Sequence, residues 1–180
     1  MAEVGIGKIV GSAQILPDDI ATVITGISYS YTPVADEKWY YKLTDVAIAA
    51  PVDLIAGNFL QDYGDAGART STAAPAAITT SDIVKFLFIK NMAVEADGTT
   101  GIAASVYLSL NGSTTGDLAE IAAADNDIIE IGQNETLALK LNCTVADLHC
   151  EAGTPLFATQ ALTTSKLVQC MVAAVIKDVA

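Results

Sequence analysis

The side chains best equipped for chemistry are few: one histidine, His149, three cysteines, Cys143, Cys150 and Cys170, and scattered pairs of acids. A structural zinc centre takes four Cys or His ligands, and these four residues are that number. The interval between Cys143 and Cys150 fits no zinc ribbon or finger, so the expectation is buried, reduced thiols and no metal. A Cys143–Cys150 bridge across adjacent strands would form only on oxidation after assembly or lysis. Cupin-type jelly-roll enzymes hold their ion with several histidines, which this chain lacks. A Ser or Cys nucleophile would need His149 as its base, yet no Gly-x-Ser-x-Gly occurs and nothing marks a residue to orient the ring. The expectation is a protein that is not an enzyme, with no catalytic residue, no metal ligand and no cofactor.

The remaining polar groups read as structure. Asp18-Asp19, Asp62 with Asp65, and Asp125-Asn126-Asp127 are spaced for calcium or for turns, and turn chemistry is the simpler account. The Asn-x-Ser/Thr triplets at Asn111, Asn134 and Asn142 read as coincidences of turn-rich composition. Tyr29, Tyr31, Trp39, Tyr40 and Tyr41 gather in one region. They suit either a sugar-stacking platform or packing, and packing is favoured because no row of polar partners accompanies them.

Composition narrows the classes further. The chain has 180 residues, 52% of them hydrophobic, and a formal net charge of −12 with only nine Lys and Arg. That balance argues against nucleic acid and anionic membrane as partners. No apolar run is long enough for a spanning helix, and the N-terminus carries an acid where a signal peptide has basic residues. So apolar a chain is expected to hide surface by oligomerising.

The elements that must position these residues are strands. Ile20–Tyr31, Trp39–Ile48, Ile83–Lys90, Asp127–Ile131 and Leu137–Leu141 are β-rich, with turn signals at Pro33, Asp97-Gly98 and Asn111-Gly112. Ile102, Ala104, Val106, Leu108 and Leu110 alternate with Ala103, Ser105, Tyr107 and Ser109, the pattern of a strand buried on one face only. Short strands are expected at Ala146–His149 and Pro155–Ala161, and Asp117–Asp125 suits at most a helical turn. Lys166–Lys177 is apolar on both faces, so it needs a layer on each side from its own fold or from another subunit. The expected fold is all-β, a jelly-roll-like antiparallel β-sandwich over residues 19–180 with a long loop at 57–81 and an extended N-terminal arm at 1–18. An immunoglobulin-like sandwich is the alternative.

Three runs of the second half, Lys85-Phe-Leu-Phe-Ile-Lys-Asn91, Ser105-Val-Tyr-Leu-Ser-Leu-Asn-Gly112 and Asp127–Leu141, closed by the apolar strand Lys166–Lys177, resemble the small virion structural proteins of tailed bacteriophages. The resemblance is to capsid decoration (cement) proteins and covers residues 83–178. It implies a jelly roll that forms homotrimers, is made in the host bacterial cytoplasm, and sits on the outer capsid surface of the virion. There it would bind major capsid protein subunits and stabilise the head. Expected contact residues are Val4, Ile6, Ile9, Val10 and Ile15 in a capsid-binding arm, and Val168, Cys170, Val172, Ala174 and Ile176 in an oligomer interface. The alternative function is a tail- or head-fibre-associated module that binds a surface glycan.

Overall fold

The computed structural model describes residues 7–14, 23–34, 36–48, 51–60, 76–110, 128–153 and 166–179. Among the described residues ten strands run in chain order: β1 (Gly7–Gln14), β2 (Val23–Tyr31), β3 (Glu37–Ala47), β4 (Val52–Asp53), β5 (Ile83–Glu95), β6 (Ser105–Ser109), β7 (Ile128–Ile131), β8 (Thr136–Thr144), β9 (His149–Gly153) and β10 (Leu167–Lys177). Among the described residues the one helical element is a single 3-10 turn, Val145–Asp147.

Strands β3 to β10 form two four-stranded antiparallel sheets, ordered β3-β10-β5-β8 and β4-β9-β6-β7. The pairing is nested: β3 with β10, β4 with β9, β5 with β8, and β6 with β7. The chain therefore runs out through four strands and back through four, and successive pairs of this double ribbon fall alternately into the two sheets. That nesting is jelly-roll-like. In an immunoglobulin-like order several sequential strands are sheet neighbours, whereas here only β6 and β7 are among the eight.

The core lies between the sheets. The first sheet contributes Tyr40, Val46, Val84, Leu87, Ile89, Val168, Cys170, Val172, Ala174 and Ile176, and the second contributes Val106, Leu108, Ile131, Cys150 and Ala152. Alternation explains the choice, because residues two apart on a strand share a face. Asn91 is a polar member of this interior, fully buried within β5. Its amide donates to Ala104 O at 2.9 Å and Ile131 O at 3.2 Å, while its Oδ1 accepts from Ala93 N–H at 2.9 Å. That last bond supports Ala93 in the left-handed region, φ +54°, which costs a residue with a Cβ. One side chain thus ties the first sheet to the second.

Asp82 does comparable work at the rim. Its buried carboxylate accepts from Thr79 N–H at 2.8 Å and Val179 N–H at 3.0 Å, which fixes the chain just beyond β10.

Several expectations need correction. The expected N-terminal arm contains a strand: β1 pairs antiparallel with β2, and the two make a sheet of their own beside the two four-stranded ones. The loop at 57–81 is closed at its base, with Asn58 bridging Ala77 and Ile78 N–H donating to Gly57 O at 2.8 Å. Phe59 is buried there; residues 61–75 lie outside the described residues. The strand expected at Ala146–His149 is instead the 3-10 turn followed by β9, because Thr144 N–H and hydroxyl both donate to the Asp147 carboxylate at 2.8 Å and wind the chain. The segments Pro155–Ala161 and Asp117–Asp125 lie outside the described residues.

Candidate assembly surface

The two faces of β10 have different fates. Val168, Cys170, Val172, Ala174 and Ile176, expected at an oligomer interface, have no exposure at all and pack in the core. A homotrimer built on these five side chains would have to open the sandwich. The reason lies in the partner layer: the second sheet covers this face of β10, so no subunit is needed to cover it.

The opposite face is the outer surface of the first sheet, and it is apolar. Strand register lays its side chains out in rows: Trp39, Val175, Phe86 and Lys140, then Tyr41, Ala173, Phe88 and Ala138, then Leu43, Met171, Lys90 and Thr136. The middle of the first row, Val175 and Phe86, is sheltered. Tyr31, at the end of β2, stacks on Phe86 with ring centroids 6.3 Å apart and 12° between planes, and its hydroxyl donates to the Glu37 carboxylate. Toward β3 the covering ends: Tyr41 is 48% exposed and Leu43 46%, with Leu167 of β10 at 37%. An antiparallel sheet with one solvated face normally turns polar residues outward. Here the outward rows are aromatic and aliphatic but for Lys90, Lys140 and Thr136.

Charge on this face also departs from the rest of the chain. Against a formal net charge of −12, the outward positions carry Lys90, Lys140 and Lys177, with Asp45 and the buried Glu37 as the acids. Among the described residues none of these three lysines is in an ion pair; the salt bridges use Lys38, Lys166 and His149.

The aromatics expected as one platform are divided. Trp39 and Tyr41 share the outer face, whereas Tyr40 points into the core and its hydroxyl donates to Ala56 O at 3.3 Å. Burial pushes the Tyr40 phenol upward from its ordinary value. Tyr29 sits in β2, opposite Ile9.

Of the expected arm residues, Ile9 and Val10 lie in β1, paired with Tyr29 and Ser28. Val4, Ile6 and Ile15 lie outside the described residues, as do the acids of Asp18-Asp19, Asp62 and Asp65, and Asp125 to Asp127.

The second sheet supplies what the sequence did not mark, a partner for His149. Asp53, His149 and Ser109 are register neighbours on β4, β9 and β6, and His149 Nε2 lies 3.2 Å from Asp53 Oδ1. The row has the composition of a hydrolase triad and its Asp–His contact, but no bond from the second ring nitrogen to the serine. His149 Nδ1 is buried with no hydrogen-bond partner, so it does not meet the Ser109 hydroxyl, and the Asp53 side chain is 71% exposed.

Beside this row, Tyr107 donates to Glu130 at 3.3 Å, and its phenol is pushed up to about 12, first by burial and then by the Glu130 charge. Ser105, Tyr107, Ser109 and His149 are all buried although they face away from the core. Asp53 and the unsatisfied nitrogen are visible only once β4 and β9 are aligned, because nearly a hundred residues separate them.

The cysteines do not converge with the histidine. Cys150 and His149 alternate to opposite faces of β9, and Cys143 lies on β8 in the other sheet, so Cys143 and Cys150 are not on adjacent strands. All three thiols are free. Burial raises the Cys143 thiol, and it holds Cys150 well above and Cys170 at about 12, with Cys170 and Asp53 adding to the effect at Cys150.

Fold and surface together define an antiparallel β-sandwich, one of whose outer faces is apolar, locally basic and open to solvent. No family model, no curated protein and no solved structure matches the chain.

Proposed function

We propose that this chain is a non-enzymatic decoration (cement) protein of a tailed-phage head, binding the outer surface of major capsid protein subunits. The observation that carries the reading is the apolar outer face of the first sheet, where Tyr41, Leu43 and Leu167 are exposed and Met171, Phe88 and Ala173 are half-buried between them. A contiguous apolar patch of this kind marks an interaction surface. The winding belongs to a group that includes viral capsid domains, which adds support by analogy. The acidic remainder of the chain suits the outside of a head, since the DNA within would repel it.

The test is to add the purified chain to phage capsids stripped of their decoration proteins. Saturable co-sedimentation is expected, together with a higher capsid disruption temperature, and Met171→Glu should abolish both. No binding, or binding indifferent to Met171→Glu, overturns the proposal. Trp39 and Tyr41 on one open face favour the glycan-binding alternative as a second reading. Glycan-array signals that vanish in Tyr41→Ala would put that reading in place of the first.

A further inference from the structure

The free edge of β3 leaves backbone groups open on an exposed strand. In an antiparallel ladder, alternate residues turn their N–H and C=O groups to opposite sides of the strand. On the edge away from β10, the Trp39 carbonyl accepts from Leu60 N–H at 2.9 Å. Tyr41, Leu43 and Asp45 therefore direct their backbone groups the same way, while Tyr40, Lys42 and Thr44 bond to β10. Leu60 closes the edge at Trp39, and at the other end Ile48 crosses to bridge Ala152 in the second sheet. Between these limits the N–H and C=O groups of Tyr41, Leu43 and Asp45 meet no partner among the described residues, and Tyr41 to Leu43 and Asp45 are exposed.

Such an edge is a template for another strand, and proteins commonly block it with proline or with a lysine projecting over it. Neither guard operates here. No proline falls within β3, and the Lys42 ammonium is turned back onto Ala56 O at 3.4 Å.

We propose that a second copy of this chain docks on this edge, β3 antiparallel to β3 about a two-fold axis at Leu43, merging two four-stranded sheets into one of eight. The open stretch is symmetrical about Leu43. Pairing Leu43 with Leu43 of the second copy, and Tyr41 with its Asp45, uses every open N–H and C=O on both strands. No like charges face each other: Asp45 meets Tyr41 and Lys42 meets Thr44, which matters between chains of net charge −12. The axis also keeps both outer faces on one side, so Leu43 packs on Leu43 and the rows that carry Met171 and Phe88 become continuous across the dimer. This pairing does not depend on what the dimer then binds.

Sedimentation velocity and light scattering on the full chain test it. A dimer is expected at micromolar concentration. Leu43→Lys places two lysines on the axis and should raise the dissociation constant roughly tenfold or more, with the melting curve unchanged because the position is exposed. Tyr41→Lys sets a cation opposite Asp45 and should tighten the dimer, whereas Tyr41→Glu should weaken it. This opposed pair reads the register, and it carries the test alone if Leu43→Lys folds poorly. A wild-type monomer or trimer, or equal effects of lysine and glutamate at position 41, overturns the proposal. Co-sedimentation of the wild-type chain with stripped capsids is a separate readout, and Met171→Glu changes that binding at a position off the β3 edge, so a failure of the dimer is distinguishable from a failure of the decoration reading.

Discussion

Strands β6 and β10 exchange the roles their sequences suggest. The strict alternation of β6 is the pattern of a strand with one wet face, yet all five of its residues are buried. Strand β10 is apolar on both faces, yet its outer positions Leu167, Gln169, Met171 and Ala173 are partly or largely open. Alternation identifies the face that meets the core; it does not say whether the other face meets water. In β6 the second face is polar and sheltered, with Tyr107 bonded to Glu130. In β10 the second face is apolar and unsheltered, which leaves a free energy of transfer still to be gained by association.

Charging the inner face of β10 should cost the fold most. Val172→Glu puts a carboxylate among fully buried side chains and should destabilise by more than about 4 kcal/mol, enough to leave little folded chain. Circular dichroism checks it, and a native-like melt would show that the faces are reversed.

Asn91→Ala comes next. It orphans the Ala104 and Ile131 carbonyls and the Ala93 N–H, for an expected loss of about 3 kcal/mol in urea unfolding.

A smaller effect concerns the buried thiols. Because the folded state holds Cys170 at about 12, its contribution to stability is complete below the ordinary thiol value and is lost as pH rises through about 12. Unfolding monitored between neutral pH and strong alkali should show this decline, and it should be reduced in Cys170→Ala relative to that variant's neutral baseline. Alkylation under native conditions should label Cys143 alone.

Changes on the outer face of β10 should hardly register in stability. Met171→Glu should alter the unfolding free energy by no more than about 1 kcal/mol while eliminating capsid binding, which separates the two faces functionally.

The smallest effect is local. Asp97 is held at about 2 by hydrogen bonds from the Thr100 hydroxyl and from the Thr100 and Thr99 N–H groups. A depressed carboxyl keeps its contribution above the ordinary range and loses it as pH falls through about 2. The amide resonances of Thr99 and Thr100 should therefore hold their positions until then.

Much of the sandwich was legible because strand length and β-branched content speak locally. The limits of β2, β3 and β10 follow from such runs, and Asp97-Gly98 lies in the turn expected of it, with Gly98 at φ +72°. Strand β4 was not legible: two residues beside Pro51 carry no period, and only pairing with β9 makes them a strand. The shift of β9 was readable, since Thr144-Val-Ala-Asp147 is a capping-box spacing. The assembly surface was half legible. A doubly apolar strand was evident, but choosing the outer set over the inner one requires knowing which side the second sheet occupies. The Asp53–His149 contact and the open edge of β3 depend wholly on strand order, which no local window encodes.

The placement of β10 between β3 and β5 also sets a timetable. Its neighbours emerge from the ribosome long before it does, and neither pairs with the other. Until β10 has been made, the first sheet exists only as the β5–β8 ribbon, and the inner face of the second sheet has little to pack against. The nested order favours zipping from the β6–β7 hairpin outward, with closure of β3 on β10 last, across the longest span of sequence. The nascent chain is therefore most exposed to mispairing just before its central strand arrives.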